Sequence, residues 1–113
     1  EFHPSLNQAD LKTFCDINQI AITAYSPIAQ GHDLRLPVIT NLAKKYDRSA
    51  AQVVLNWLIQ KNIIAIPRSA DRQHIEDNFR TIEWELSPED VAMIDQLNED
   101  YRLVEASFNE FNY

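Results

Sequence analysis

Residues 63–78 read Ile-Ile-Ala-Ile-Pro-Arg-Ser-Ala-Asp-Arg-Gln-His-Ile-Glu-Asp-Asn, and this stretch predicts a buried strand that leads into a helix. The apolar run of four residues ends at a proline, and Asp71 is a suitable N-cap for the helix that follows. A helix N-terminus favours an anion, because its backbone N–H groups carry partial positive charge. Arg68, Arg72 and His74 add cationic side chains at the same turn, which predicts an anion site, for phosphate in particular. The alternative is that these three residues only form a solvated helix start.

The composition is that of one acidic, folded domain. The chain has 113 residues, of which 45% are hydrophobic, and its formal net charge is -7. This acidic balance argues against nucleic acid or an anionic membrane as the main partner. The single cysteine, Cys15, excludes an internal disulfide and favours a reducing cytoplasm. We expect neither a membrane-spanning segment nor a signal peptide, because no apolar run is long enough for the first and the chain does not start with the pattern of the second.

The glycine content restricts the ways in which this chain can bind phosphate. Gly31 is the only glycine. Both the glycine-rich dinucleotide fingerprint and the Walker-type phosphate loop need several glycines, so both are excluded. Any phosphate site must therefore be built from side chains and helix ends.

The apolar pattern predicts strands alternating with helices. We predict a strand end at 1–4 and strands at 20–25 and 63–66. The strand at 20–25 is predicted to be covered on both faces. Helices are predicted at 6–18, 37–46, 49–62 and 71–79, and another begins at Ser87. This alternation predicts right-handed crossovers and a parallel sheet of three strands. Periodicity is lost after residue 99, where the aromatic residues Tyr101, Phe108, Phe111 and Tyr113 predict a tail that packs on another part of the protein.

Two helices have distinctive sequence signals. Ser49 and Gln52 have the spacing of a capping box, and the helix that they begin has an apolar face. That face is predicted to contain Val53, Val54, Trp57 and Leu58. In the first helix, Leu11, Phe14 and Cys15 have the spacing of one buried face.

Four motifs occur in the order and spacing of the aldo-keto reductase family. They are Glu1-Phe2-His3-Pro4, Ala24-Tyr25-Ser26-Pro27, Ser49-Ala50-Ala51-Gln52-Val53-Val54-Leu55-Asn56-Trp57, and Ile66-Pro67-Arg68-Ser69 followed by Ile75 and Asn78. Each motif is weak when taken singly, but four in register are specific, and they cover nearly the whole chain. The segment Asp100-Tyr101-Arg102-Leu103-Val104 resembles the bacterial 2,5-diketogluconate reductase branch of the family.

The resemblance implies an α/β fold, the C-terminal portion of a TIM (β/α)8 barrel with about three β/α units. These units would be the sixth to eighth strands with their helices, so that residues 1–113 form a single partial domain that begins inside the sixth strand. Residues 100–113 would form the C-terminal loop that shapes the substrate pocket. The family's catalytic Asp, Tyr, Lys and His lie in the N-terminal half. The resemblance therefore assigns no catalytic residue and no metal ligand here, and we expect the chain alone to be inactive.

The resemblance implies that the loop after the strand at 20–25 binds the nicotinamide and pyrophosphate ends of a cofactor. Tyr25 matches the family tyrosine that stacks on the nicotinamide ring, although an aromatic core residue is the alternative. Ser26, Ile28 and Gln30 match loop positions that surround the pyrophosphate. Gln30 replaces a small or hydroxyl residue that is often found at its position.

A second group of matched residues is implied to bind the adenosine end. Arg68 and Ser69 match residues that contact the 2′-phosphate, and the planar donor fork of arginine suits this group. His74 stands where many members carry an arginine, so NADPH is the expected cofactor while NADH remains an alternative. Asp77 and Asn78 match the pair that hydrogen-bonds adenine. Their alternative role is solvated helix surface.

The resulting interpretation is a fragment of an NADP-dependent aldo-keto reductase that carries the cofactor-binding half. Such an enzyme reduces aldehydes and ketones, so the expected partner is a small-molecule carbonyl substrate in the cytoplasm. The alternative functions are a non-catalytic nucleotide-binding module and a half-barrel that self-associates through its uncovered edges.

Overall fold

Two short parallel strands lie at the centre of the fold. The computed structural model describes residues 1–105 of the chain. Strand β1 (Ile22–Ala24) pairs in parallel with β2 (Ile63–Ala65), and Ala24 lies opposite Ala65. Parallel neighbours require a crossover connection, which is provided here by the two helices between the strands. The predicted α/β architecture with a parallel sheet is thus confirmed.

The prediction of a strand end at residues 1–4 is wrong. His3 and Leu6 pair with each other in an isolated antiparallel bridge, with N···O distances of 3.1 and 2.9 Å. Pro4 has no N–H group to donate, and the N–H of Ser5 is bound to the carboxylate of Asp33 at 2.9 Å. The backbone groups of residues 3–6 therefore form their hydrogen bonds in a turn and not in the sheet. Within residues 1–105 the sheet has two strands, not the three that were predicted.

Five α-helices surround the strands in the described part of the chain. They are α1 (Ala9–Ile17), α2 (Pro37–Tyr46), α3 (Ala50–Gln60), α4 (Arg72–Phe79) and α5 (Pro88–Asp95). Single turns of 3-10 helix lie at Ala29–Gly31, Asp33–Arg35 and Arg80–Glu83. In residues 1–105 none of the helices is long and apolar enough to cross a membrane. The predicted C-terminal loop is described as far as residue 105, so Phe108, Phe111 and Tyr113 lie outside the described residues.

The predicted starts of α3, α4 and α5 are confirmed by their caps, whereas α1 begins at Ala9 without a side-chain cap. The Ser49 hydroxyl accepts from the N–H of Gln52, and the Gln52 side chain accepts from the N–H of Ser49, both at 3.1 Å. Asp71 accepts from the N–H of His74 at 3.0 Å, and Ser87 caps α5 in the same way. Each cap contributes about 1 kcal/mol, because it satisfies a backbone donor that has no partner inside the helix.

Helix α3 forms the centre of the core. All seven of its residues from Gln52 to Leu58 are buried, and they include the four that were predicted for its apolar face. The ring of Trp57 lies 5.8 Å from that of Phe2, and its Nε1 donates to Asp95 at 2.8 Å. Helix α3 is therefore held against the start of the chain, against α5 and against β2.

The apolar face predicted for α1 is mostly exposed. Cys15 is buried, but Leu11 and Phe14 are exposed, Phe14 to 58% of its surface. The spacing of these residues does place them on one side of a helix. Within the described residues that side is covered at Cys15 but not at Leu11 and Phe14, so the prediction of burial is wrong for these two residues.

Candidate functional site

The carboxyl ends of the two strands bring two loops together at one edge of the sheet. In parallel strands these ends lie at the same edge, where α/β folds place their sites. The N–H of Ile66 donates to the carbonyl of Ala24 at 3.2 Å, which extends the pairing beyond β2. The loop after β1 (residues 25–36) and the turn after β2 (residues 66–71) are therefore neighbours.

Two adjoining clefts lie at this edge. The first cleft has a volume of about 390 Å³ and the second about 520 Å³. The first is lined by Ile28, Leu34, Ser49, Ala50, Ala51, Arg68, Ser69, His74, Asp77 and Asn78. The second is lined by Ser26, Pro27, Ile28, Gln30, Ile66 and Arg68. They share Ile28 and Arg68, so together they form one continuous surface.

The clefts bring together eight of the nine residues that were predicted to bind a cofactor. These eight are Ser26, Ile28, Gln30, Arg68, Ser69, His74, Asp77 and Asn78. Tyr25 lines neither cleft and is 38% exposed. It follows the buried Ala24, directly after the end of β1. Its predicted contact with a nicotinamide ring stays a prediction.

The first cleft offers one cationic side chain, that of Arg68, which is not already neutralised by a described residue. Arg68 makes no ion pair with any residue in 1–105, and the imidazole of His74 makes no hydrogen bond within the same range. Asp77 is the one acidic residue in the lining. Its carboxylate accepts from Gln73 at 3.0 Å, and its backbone carbonyl accepts from Gln52 at 2.8 Å. The cleft is therefore suited to an anion beside Arg68.

The structure does not bring Arg72 to the clefts, and its contribution to an anion site stays a prediction. Its side chain is 93% exposed and pairs with Glu76 at 2.8 Å, one turn along α4. It lines neither cleft. The start of α4 is also capped by the negative carboxylate of Asp71. Attraction for an anion therefore rests on Arg68 and His74, and less on the helix end than the sequence suggested.

The loop after β1, which lines both clefts, has a strained backbone. Ser26, Ala29 and Gln30 have φ angles of 49°, 50° and 51°, in the left-handed region that side chains other than glycine disfavour. Gly31 follows with φ at 90°. Such conformations cost on the order of 1–3 kcal/mol each and persist where surrounding contacts impose them. Ala29 is fully buried, so the residues packed around it help to impose its conformation.

A buried charge network lies behind this loop. The ring of His3 contacts Asp33 through Nδ1 at 2.9 Å and Glu1 through Nε2 at 2.8 Å, and all three side chains are fully buried. We call Glu1, His3 and Asp33 the buried triad. No sequence signal indicated it, because Asp33 lies 30 residues from His3 and belongs to no recognised motif.

The triad shifts the pKa values of its members in opposite directions. Burial by itself would lower the pKa of His3, but hydrogen bonds to Asp33 and Glu1 outweigh burial and raise it above the usual range. Burial would likewise raise the pKa of Asp33, but hydrogen bonds from His3, His32 and Ser5 hold it well below the usual range. Both residues therefore favour their charged forms.

Another depression lies away from this edge and does not suit an anion. It has a volume of about 580 Å³ and lies between residues 6–11 and 98–102. Its lining carries Asp10 and Asp100 beside a single basic residue, Arg102. Residues 1–105 also contain no group of His, Cys, Asp and Glu side chains arranged to hold a metal ion. We therefore assign the candidate site to the two adjoining clefts.

Comparison with known proteins identifies the family. A model of the aldo/keto reductase family matches residues 32–99, which include α2, α3, β2, α4 and α5. The chain belongs to the aldo/keto reductase family. The first cleft lies almost wholly within the matched region, since Ile28 is its only lining residue before residue 32.

Curated relatives of the reductase family share about two residues in five with this chain. It is 42% identical to the 9,11-endoperoxide prostaglandin H2 reductase of Trypanosoma cruzi, over 91% of this chain and 38% of that protein. It is 41% identical to the glyoxal reductase of Bacillus subtilis, over 91% of this chain and 37% of the relative. The chain thus spans somewhat more than a third of the length of these relatives.

Solved aldo-keto reductases share the fold. An aldo-keto reductase enzyme from a Medee basin deep-sea metagenome library superposes with a TM-score of 0.90 and 28% identity, over 97% of this chain and 42% of the other. A Gox0644 mutant solved in complex with NADPH superposes with a TM-score of 0.89 and 29% identity, over 93% and 39% of the two chains. Residues 1–105 therefore represent part of an aldo/keto reductase barrel.

Proposed function

We propose that this chain is the cofactor-binding part of an NADP-dependent aldo-keto reductase, formed by C-terminal β/α units of the barrel and the C-terminal loop. The observation that carries the proposal is the convergence of eight predicted residues on two adjoining clefts around an unpaired Arg68. The NADPH complex of the Gox0644 mutant supports the choice of cofactor. The proposed substrate is a small aldehyde or ketone, and the proposed location is the cytoplasm.

The residues of the first cleft fit the adenosine end of NADPH. Arg68 can donate two hydrogen bonds to a phosphate, and the Ser69 hydroxyl lies beside it in the lining. That hydroxyl now bonds only within its own turn, to the backbone of Asp71 at 3.1 and 3.2 Å. Ala50 and Ala51 at the start of α3 provide a small apolar wall that suits a flat base, while Asp77 and Asn78 supply polar partners.

The second cleft continues this surface toward Tyr25. Ser26 and Gln30 line it and can donate hydrogen bonds to the pyrophosphate. When bound, the nicotinamide supplies the hydride for the carbonyl carbon. Tyr25, which is 38% exposed, is proposed to pack on that ring.

Catalysis is assigned to residues outside this chain. Carbonyl reduction needs a general acid within hydrogen-bond reach of the carbonyl oxygen. No residue here matches the family's catalytic groups, and neither His3 nor Tyr25 is given that role. We therefore propose that the chain binds and orients NADPH and is inactive as a reductase on its own.

The test is a binding and activity measurement on the complete protein. NADPH binding should quench the fluorescence of Trp57 and Trp84, and oxidation of NADPH should accompany reduction of a small dicarbonyl or aldehyde. Protein that neither binds NADPH nor oxidises it would refute the proposal. Binding without any turnover, across a panel of carbonyl compounds, would favour a non-catalytic nucleotide-binding module.

Self-association is a second candidate because apolar side chains are exposed on several described elements. Ile17 and Phe79 are exposed to 77% and 74%, on α1 and α4 respectively, and Ile64 is half exposed on β2. Large apolar side chains exposed in this way can take part in contacts with other protein. Sedimentation of the complete protein distinguishes the two candidates, since a half-barrel module would be a concentration-dependent oligomer without reductase activity.

The first prediction concerns cofactor preference and His74. Replacing His74 by arginine should tighten NADPH binding by about tenfold, because a charge-assisted hydrogen bond to the 2′-phosphate contributes about 1.5 kcal/mol. NADH binding should hardly change, because NADH lacks that phosphate. The ratio of the two dissociation constants measures the effect. Gln73→Arg is the matched control, since Gln73 is an exposed neighbour that does not line the clefts.

The second prediction concerns the C-terminal loop and substrate choice. Removing residues 106–113 from the complete protein should change the relative kcat/KM values for small and bulky aldehydes, because this loop is proposed to form a wall of the substrate pocket. The truncation keeps Leu103 and Val104, whose backbone N–H groups bind Glu1. NADPH affinity serves as the control and should be retained. An unchanged substrate profile would contradict the proposed role.

A further inference from the structure

The buried triad joins three segments that are far apart in the sequence. Besides its contact with His3, the Glu1 carboxylate accepts hydrogen bonds from the N–H groups of Leu103 and Val104, at 2.8 and 2.9 Å. At the other end of the triad, Asp33 belongs to the strained loop after β1. An unbroken path of hydrogen bonds thus runs from residues 103–104 through Glu1, His3 and Asp33 to the loop between the clefts.

The chemistry of the triad makes His3 an imidazolium. An ionised carboxylate can only accept hydrogen bonds, so both ring nitrogens of His3 must donate, one to Glu1 and one to Asp33. Asp33 is satisfied further by Ser5, which donates its backbone N–H at 2.9 Å and its hydroxyl at 2.7 Å. The loss of either carboxylate would leave a buried charge without its partner, so the three groups hold their positions together.

The position of Asp33 connects the triad to both clefts. Three residues before it lies Gln30, which lines the second cleft, and directly after it lies Leu34, which lines the first. Asp33 is completely buried, whereas Gln30 is exposed. The buried Asp33 carboxylate therefore holds the loop in place between Gln30 and Leu34, the two residues that line the clefts.

The other end of the path is connected to the segment that leads into the C-terminal loop. The carbonyl of Ser5 accepts from the N–H groups of Glu99 and Tyr101, at 3.1 and 3.0 Å. The ring of Tyr101 packs on His32 with centroids 4.8 Å apart. Residues 99–104 therefore contact the start of the chain through Ser5, and they contact the loop after β1 through His32.

We propose that Glu1, His3 and Asp33 are positioning residues that couple the cofactor clefts to residues 99–104. Binding of NADPH in the clefts then stabilises the docked position of residues 103–104, and that docked position in turn strengthens NADPH binding. Such coupling is reciprocal, because both events act on the same equilibrium. The inference rests on the proposed function, since it requires NADPH as the ligand of the clefts.

The first test needs no substitution. In the complete protein, hydrogen exchange at the amides of Leu103 and Val104 is measured with and without saturating NADPH. We expect NADPH to slow exchange at both amides by about fivefold or more, the lower range of typical coupling between sites. NADPH that binds without slowing exchange at these amides would overturn the inference and leave the proposed function intact. Failure to bind NADPH at all would overturn the proposed function, and the inference with it.

A second test separates coupling from general stability. His3→Gln removes the cation and cannot donate along both directions of the path. In this variant we expect NADPH to bind more weakly, by about fivefold or more, and no longer to slow exchange at Leu103 and Val104. Exchange at the amide of Ile94, in the core-facing part of α5, should stay as in the wild type. Retained NADPH protection at Leu103 and Val104 in the variant would overturn the proposal.

A milder variant covers the case in which His3→Gln does not fold. Ser5→Ala removes the hydroxyl that donates to Asp33 at 2.7 Å but leaves His3 and both carboxylates in place. It should reduce the NADPH-dependent protection of Leu103 and Val104 without abolishing it. Asp47→Asn is the control, because Asp47 is exposed at the end of α2 and asparagine tolerates its left-handed backbone. Equal protection in Ser5→Ala and in the control would contradict the proposal.

Discussion

Replacing Arg68 by alanine is expected to weaken NADPH binding by about 10- to 100-fold and to leave NADH binding nearly unchanged. Hydrogen bonds to a charged group contribute roughly 1.5–3 kcal/mol, which corresponds to this range. The guanidinium lines both clefts and has no ion-pair partner within residues 1–105. Its full donor capacity is therefore available to the 2′-phosphate, the group that NADH lacks.

Arg72→Ala is the matched control for this experiment. Arg72 lies four residues from Arg68 and carries the same charge, but it pairs with Glu76 and lines neither cleft. Its removal should change both affinities little, because an exposed pair within one helix contributes only a few tenths of a kcal/mol. The dissociation constants of both cofactors are measured by fluorescence quenching. Equal losses of NADPH and NADH binding in Arg68→Ala would remove Arg68 from the 2′-phosphate site.

Replacing Asp33 by alanine is expected to lower the free energy of unfolding by about 3–5 kcal/mol. This is the usual effect of removing one partner from a buried ion pair, because the remaining charge stays in the interior without compensation. Here the remaining charge is the imidazolium of His3, and Ser5 also loses the acceptor of its N–H and hydroxyl groups. Urea denaturation of the complete protein measures the change.

Asp16→Ala provides the comparison for Asp33→Ala. Asp16 is exposed and pairs with Lys12 one turn away on α1, so its loss should cost about 0.5 kcal/mol or less. Comparable losses of stability in the two variants would mean that the Asp33–His3 pair is no stronger than a surface pair.

The stabilising effect of Asp33 should depend on pH in a defined direction. The pKa of His3 is raised in the folded protein, so the stability from its proton is fully present below 6.5, the usual value, and is lost as the pH rises through the folded pKa. The pKa of Asp33 is lowered, so its contribution is lost as the pH falls below 3.8 toward the folded value. The difference between wild type and Asp33→Ala should therefore be largest near pH 5–6 and should decrease at alkaline pH. A difference that is constant from neutral to alkaline pH would show that His3 carries no titrating charge there.

Much of the fold could be predicted because its signals are local. The capping box of Ser49 with Gln52 acts across three residues, and so does the contact between Asp71 and the N–H of His74. The two strands were predicted from short apolar runs that end at a proline or at Ser26. The convergence of the family-matched residues on one edge also follows from sequence, since loops after parallel strands meet at that edge.

The wrong predictions involve groups whose partners are distant along the chain. Residues 1–4 have the composition of a strand, but His3 pairs with Leu6 and with Asp33. Phe14 has the spacing of a buried residue, but no described element covers it. In each case the pattern correctly describes the local geometry and does not specify the neighbours.

Residue types and spacings in this chain specify where helices start, which residues end the strands and which family motifs are present. The helix starts and strand ends can be read locally, because they depend on interactions within about one helical turn. Local spacing cannot indicate that Arg68 faces the clefts while Arg72 pairs with Glu76, or that Glu1, His3 and Asp33 share one buried network. These outcomes depend on contacts between residues up to 103 positions apart, as between Glu1 and Val104. The free energy of such contacts comes from burial and from complementary charge in the folded interior, which exists only once the whole chain has packed.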